Sequence, residues 1–285
     1  MKILLNAFRL FLAGFVLLTF GVTTSQAANK VLKIGHIGVM SGPAASWGLI
    51  NKYAALAGAE IINEDGGFEI GGEKYDIEIV SLDTKQDPRV AIAGAERLVY
   101  QEGIKYIIGP NVDDTTRAVL PVLEKAGAFN ICYGWHRELF TAPSKNTALG
   151  MIAGYQSAPV IYKYLKEQRG VKSLACVPRN DASGLNSRDS CVAAADQLGI
   201  KITSSDSTYE PNTSDFFPIM GRIIGQNPDL IVLSGVAPAD APLLIRAARE
   251  LGYKGLMSTE TAMDANIITE IAGEMANGYI SVGGA

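Results

Sequence analysis

The chain has 285 residues, with 25 Lys+Arg against 29 Asp+Glu and a formal charge of −4. That length suits two medium domains, each large enough for its own core. A mildly acidic chain without a basic run lacks the electrostatic footprint of a nucleic-acid or anionic-lipid binder, so neither is expected as a partner.

The first segment reads MKILLNAFRLFLAGFVLLTFGVTTSQAANK. Lys2 and Arg9 precede an apolar run, Leu10 to Leu18, and Ser25-Gln26-Ala27 sets small residues three and one before a cut. This order predicts a cleaved secretory signal peptide over residues 1–27, because the run is too short to span a bilayer alone. The mature chain is expected to start near Ala28 and to work outside the cytoplasm. Losing Lys2 and Arg9 makes it more acidic.

Strands and helices then alternate. VLKIGHIGV reads as a strand and Trp47 to Glu64 as a helix, ended at Gly66-Gly67 where glycine can take the left-handed cap. YDIEIVSLD is a strand, and Asp87-Pro88 opens the next helix with an N-cap followed by proline at the first helical position. IKYIIG is a third strand, Asp114 to Lys125 a helix, and AFNICYG a fourth strand. A break falls near Thr147–Gly154. The pattern then restarts with helix Ser157–Gln168, strand SLACVP, helix Leu185–Leu198 and strand KITSS. Helix Phe216–Ile224, strand DLIVLSG, helix Pro242–Leu251, strand GLMST, helix Ala265–Ala272 and strand GYISV complete it. Repeated strand–helix order predicts an α/β fold of parallel βαβ units with helices on both sheet faces. Two such lobes joined by short crossings form a hinge, with a ligand cleft between facing strand C-termini.

Chemistry is more easily excluded than assigned. The two histidines are His36, inside an apolar strand and read as a core residue, and His136, in a loop; no GxSxG elbow accompanies them. No GxGxxG follows the first strand and no GxxxxGK[ST] occurs, so nucleotide cradles are not expected. Asp113-Asp114 lacks further ligands at useful spacing and reads as helix capping rather than a metal site. Of Cys132, Cys176 and Cys191, the last two lie on a strand and the helix after it; spacing leaves a disulfide and two buried thiols equally open. With no CxxC or His/Cys cluster, neither metal nor cofactor is expected. What stands out is VMSGPAASWG, Val39 to Gly48: glycines, proline, serines and a tryptophan at the mouth of the first strand, where open α/β sheets bind ligands.

Several stretches together resemble one family: KIGHIGVMSGPAASWG, INEDGGFEIGG, DTKQDPRVAIAGAERLV, GIKYIIGP, RNDASGLNSRDS and ARELGYKGLMSTE. The chain resembles type I periplasmic binding proteins of ABC importers, closest to the branched-chain amino acid (leucine/isoleucine/valine) group, over essentially all of residues 31–285. The resemblance implies two Rossmann-like lobes, lobe one over residues 28–149 and lobe two over 150–279. Residues 280–285 would begin a return crossing to lobe one. Family members continue past the strand resembling GYISV, so the chain is expected to be truncated at its C-terminus with lobe one incomplete.

The resemblance also places ligand contacts at five loops. Trp47 matches the tryptophan that closes over the ligand, with Ser41 and Ser46 offering hydroxyls beside it. Asp113 stands where the family often has a serine or threonine that holds a carboxylate, with Asp114 and Thr115 following; a one-residue shift would present Thr115 instead. Gly134-Trp135-His136 replaces small residues, so the pocket is expected to be smaller or more aromatic. On lobe two, Ser183 with Gly184 takes the place of a tyrosine-glycine pair, and Val236 with Ala237 fills the fourth loop. Glu260 matches the acidic residue that receives the ligand's ammonium.

The expectation is therefore a periplasmic, non-enzymatic solute-binding protein. It captures a small polar ligand by lobe closure, most simply an amino acid, branched-chain included, or an amide, and delivers it to the permease subunits of an ABC importer. The alternative is the ligand-binding ectodomain of a sensory receptor. Asp113 and Glu260, expected to face each other across the cleft with Trp47 and Trp135, suit a ligand with a cationic or amide nitrogen beside an apolar body.

Overall fold

The computed structural model describes residues 28–140 and 144–282. The expected signal peptide, residues 1–27, and positions 283–285 of the expected return crossing lie outside the described residues.

Lobe one is built on a six-stranded sheet. β1 (Lys30–Gly38) pairs in parallel with β3 (Glu73–Asp83) from Lys30 opposite Tyr75 to Gly38 opposite Asp83. β4 (Tyr106–Asn111), β5 (Phe129–Tyr133) and β6 (Thr147–Leu149) extend the sheet from the other side of β1 and β2 (Phe68–Ile70) edges β3, giving the order β2-β3-β1-β4-β5-β6. Three helices connect these strands: α1 (Ala45–Glu64), α2 (Pro88–Glu96) and α3 (Asp113–Ala126). The N-cap foreseen at Asp87 forms, its carboxylate accepting the Arg89 amide at 2.8 Å. Ile37 on β1 packs with Ala91 and Leu98, and with Val119 and Leu123 of α3.

Two features depart from the sequence reading. β2 (Phe68–Ile70) pairs antiparallel with β3 as a hairpin, so the sheet is not purely parallel. Thr147–Leu149, read as part of a break, forms β6 beside β5. Each is three residues long, too short for an alternating pattern to register.

Lobe two follows in the order α4 (Gly154–Arg169), β7 (Ser173–Cys176), α5 (Ala182–Leu198), β8 (Lys201–Ser204) and α6 (Phe217–Ile224). β9 (Leu230–Val232), α7 (Ala241–Glu250), β10 (Leu256–Ala262), α8 (Ala265–Ala272) and β11 (Tyr279–Val282) complete it. Its five strands are all parallel, in the order β11-β10-β9-β7-β8. One face packs Met220, Leu244 and Ile245 against Ile231 and Met257, the other Tyr162, Leu165 and Cys191 against Leu174 and Val232. Burial on both faces explains why these strands read as continuous apolar runs. Cys176 and Cys191 are joined by a disulfide, tying β7 to α5, while Cys132 is a buried free thiol.

The lobes meet along a seam formed by the turns that follow the strands. Val39, Ala44, Val112 and Trp135 of lobe one pack with Ala153 and with Ala237 of lobe two. Direct bonds cross the seam: the Asp113 amide to Ser183 Oγ (3.0 Å), Asn186 Nδ2 to Asp113 Oδ2 (3.1 Å) and Gln86 Nε2 to Asp181 Oδ2 (3.2 Å). This architecture puts the mouths of the two sheets face to face.

Candidate ligand-binding site

At the seam lies a cavity of about 500 Å³ with walls from both lobes. Lobe one contributes Trp47 and Ile50 from the first turns of α1, Asn111 from the end of β4, and Tyr133 and Trp135 from the end of β5; lobe two contributes Thr261 to Asp264 from the end of β10 and just after it. The aromatic character follows from geometry: Trp47 and Trp135 meet edge to face with ring centroids 5.5 Å apart, an arrangement that ring quadrupoles favour. Trp47 reaches this position because Gly48 lets α1 lie against β1; a Cβ on Gly48 would stand 2.0 Å from the Val39 carbonyl oxygen.

The structure separates the residues singled out in the sequence. Trp47 and Trp135 line this cavity together, with Ser46 beside them. Asp113 does not line it. The carboxylate is 1 % exposed, and Oδ1 accepts the amides of Trp135 (2.7 Å) and His136 (3.1 Å). Oδ2 takes the Asn186 amide of lobe two. Burial raises its pKa, and these donors oppose that rise. Asp113 therefore shapes the Trp135 turn and ties it to lobe two, rather than facing a ligand.

The neighbours of Asp113 are similarly occupied. Thr115 turns back to donate to the Asn111 carbonyl at 2.7 Å, so its hydroxyl is not offered to the cavity. Gly134 permits the close approach, since a Cβ there would stand 2.8 Å from Leu139 and 3.1 Å from Asp113 Oδ1. His136 is half-buried with Nδ1 accepting the Glu138 amide at 3.2 Å. Ser183 is buried, its carbonyl accepting Trp135 Nε1 at 3.4 Å. Val236 is packed in the core of lobe two, and Ala237 in the seam. Val112 holds φ 61°, a left-handed conformation that is costly for a β-branched residue and sits where strand β4 turns into α3.

Glu260 lies one residue before the lining Thr261, but it is itself fully buried in lobe two. Tyr162 and Ser234 donate to its Oε1 at 2.7 and 3.2 Å, while Oε2 has no hydrogen-bond partner. Burial pushes its pKa up to about 7 against those donors. A carboxyl of this kind holds its proton near neutrality.

Ser41 and Asp114 line a second seam cavity of about 360 Å³, along with Lys85, Arg179 and Asp181. Arg179 is 1 % exposed and pairs with Asp181, which also caps α5 by accepting the Gly184 amide at 2.8 Å. Burial and the Asp181 charge raise the Asp114 pKa, and Arg179 lowers it. The charges of the seam are thus concentrated in this second cavity, and the aromatic surface in the first.

Comparison with known proteins decides the family. The sequence matches the family described as periplasmic binding protein over residues 31–285. The chain belongs to the periplasmic binding protein family. Among its relatives, the Leu/Ile/Val-binding protein of Escherichia coli (strain K12) is 28% identical over 275 residues, covering 94% of this chain and 71% of the relative. A leucine-, isoleucine-, valine-, threonine- and alanine-binding protein of Pseudomonas aeruginosa is 23% identical over 262 residues, covering 92% of this chain and 68% of that protein. Among solved structures, the branched-chain amino acid transporter substrate binding protein LivJ of Streptococcus pneumoniae, in complex with isoleucine, superposes with a TM-score of 0.77 at 22% identity. That match covers 88% of this chain and 70% of LivJ. An ABC transporter solute binding protein from R. palustris, in complex with 4-hydroxybenzoate, has a TM-score of 0.70 at 23% identity, covering 86% of this chain and 66% of that one.

This binding protein therefore shares the two-lobed type I fold of the branched-chain amino acid group. Its cavity also uses residues that the sequence did not single out: Asn111, Tyr133, Met151 and the Thr261–Asp264 segment. Asn111 had a signal, a polar side chain closing the apolar strand YIIGPN. The others are ordinary strand-end residues whose role depends on how the lobes meet.

Proposed function

We infer that this binding protein is the exported solute receptor of an ABC importer, its two lobes closing on a small ligand that is then handed to membrane permease subunits. The observation that carries this reading is the cavity between the lobes, with Trp47, Tyr133 and Trp135 on one side and the Thr261–Asp264 segment on the other. A ligand there touches both lobes, so its binding energy favours the closed arrangement, which differs at the surface a permease would read. The wall suits an apolar body with a nitrogen-bearing polar end, an amino acid or an amide. The relatives' names support the amino-acid side of that range. Signal-peptide cleavage near Ala28 would deliver the chain to the periplasm, where its disulfide is at home.

The test is a thermal-shift screen of the purified mature protein against amino acids and small amides. A ligand that binds only the folded state raises the melting temperature in proportion to its saturation. At least one of these classes should stabilise the protein, and the absence of any shift across the panel at millimolar solute would sink the receptor reading.

A further inference from the structure

The aromatic cavity has carboxyl groups around it. Among the described residues lining it, Asp264 is the charged one, and its Oδ1 already accepts the Asn266 amide at the start of α8 (2.9 Å). Two more carboxyl groups stand directly behind the wall: Asp113, bonded to the Trp135 amide, and Glu260, next to Thr261 in the chain. The basic side chains of two neighbouring loops have partners of their own. Arg137 lies over the Tyr155 ring at 5.0 Å, and Arg179 pairs with Asp181 in the second cavity.

The same wall carries hydrogen-bonding groups without partners. Asn111 is 2 % exposed and uses Oδ1 to accept the Val39 amide at 2.8 Å, which leaves its Nδ2 donor unmatched. Ser46 Oγ is also buried without a partner. Ser46 sits in the first turn of α1, where the N-cap Ala44 supplies no side-chain bond. A buried unmatched donor favours a ligand atom that accepts. A full carboxylate would satisfy it, but would be drawn from water into an apolar site whose charged lining residue is Asp264 and which is lined by no described cation. A neutral carbonyl oxygen meets the donor without that penalty.

We propose that this cavity takes a ligand without a free carboxylate, a carboxamide with an apolar or aromatic body, and that Asn111 and Ser46 select it over the corresponding acid. The inference rests on the solute-receptor reading and narrows its ligand. The amide oxygen accepts from Asn111, the apolar body lies against Trp47 and Trp135, and Asp264 tolerates an uncharged or cationic remainder but opposes an anionic one.

Calorimetry on the mature full chain tests this with three matched pairs: isovaleramide against isovalerate, phenylacetamide against phenylacetate, and leucinamide against leucine. The amide should bind at least about tenfold tighter than its acid in at least one pair, and no acid tighter than its amide. Asn111→Asp keeps an acceptor for the Val39 amide but replaces the donor, and should cut amide affinity by about tenfold or more. Ser46→Ala, which leaves the Val39 contact untouched, should weaken it by a smaller factor and serves if Asn111→Asp folds poorly. Equal or tighter binding of the acids, or amide affinity unchanged in both variants, overturns the inference while leaving the receptor reading in place. No binding by any of the six solutes overturns the inference, while the receptor reading falls only if the thermal-shift panel is also silent.

Discussion

Glu260 and His36 are buried titratable residues that pull stability in opposite directions with pH. Glu260 is pushed up to about 7 from its ordinary 4.5, chiefly by burial. Its folded form holds a proton that the unfolded chain gives up, so its stabilising effect is full below pH 4.5 and is lost as pH rises through 7. The shift corresponds to about 3 kcal/mol. Glu260→Gln cannot ionise, and its melting temperature should fall less between pH 5 and pH 8.5 than that of the parent chain; equal slopes would contradict the assignment. His36 is pushed down to about 4 from 6.5 by burial and, secondarily, by Lys52, and neither ring nitrogen has a hydrogen-bond partner. Its contribution is present above pH 6.5 and is lost as pH falls through 4. With two histidines in the chain, an NMR titration resolves them readily, and His36 should stay neutral at pH 5.

Packing at single residues is as restrictive as charge. A methyl on Gly134 would press on Leu139, Thr116 and Asp113 together. Gly134→Ala is therefore expected to destabilise the protein by about 1–3 kcal/mol in urea unfolding and to displace Trp135, which a change in tryptophan emission would report. At this scale the sequence was informative about residue type and poor about orientation. Trp47 and Trp135 were legible because large aromatics in a glycine-bearing turn have few other uses. Asp113 reads the same whether its oxygens face a ligand or two amides of the Trp135 turn, and only the fold distinguishes them. Glu260 likewise sits at a strand end, but its side chain enters lobe two.

Between residues and lobes, the helices and longer strands were predictable because capping and periodicity agree. Asp87-Pro88 begins α2, and Gly127, Gly170 and Gly199 end α3, α4 and α5 in the left-handed conformation. β2 and β6 escaped because three residues carry no period. The Cys176–Cys191 bridge could not be read from spacing, since it depends on α5 lying across β7. It closes a loop with a sequence separation of 15, for which chain entropy gives about 3 kcal/mol of stabilisation. Reductant should lower the melting temperature accordingly, and a Cys176→Ser, Cys191→Ser double variant should lose that sensitivity. Cys132 is buried with its thiol pushed up to about 12, so a thiol reagent should not label it until the protein unfolds.

For the whole molecule, the proposed coupling of solute capture to shape runs through the lobe seam. Asp113 donates through its amide to Ser183 and accepts from Asn186, so one lobe-one residue holds two points of lobe two. Each such bond contributes about 1 kcal/mol to this arrangement of the lobes. Asn186→Ala should shift the unliganded protein toward open forms, seen as a larger radius of gyration in solution scattering, and weaken solute binding several-fold with little change in melting temperature.

The chain's two tryptophans, Trp47 and Trp135, both line the proposed ligand cavity. Intrinsic fluorescence therefore looks directly at the claim that a solute is held between the lobes there. Titrating a solute identified by thermal shift should change the emission saturably, with the same midpoint as calorimetry, and the change should persist in Trp47→Phe and in Trp135→Phe, each reporting from the remaining ring. A solute that binds by calorimetry while leaving the emission of both rings unchanged would place the ligand elsewhere and contradict the account.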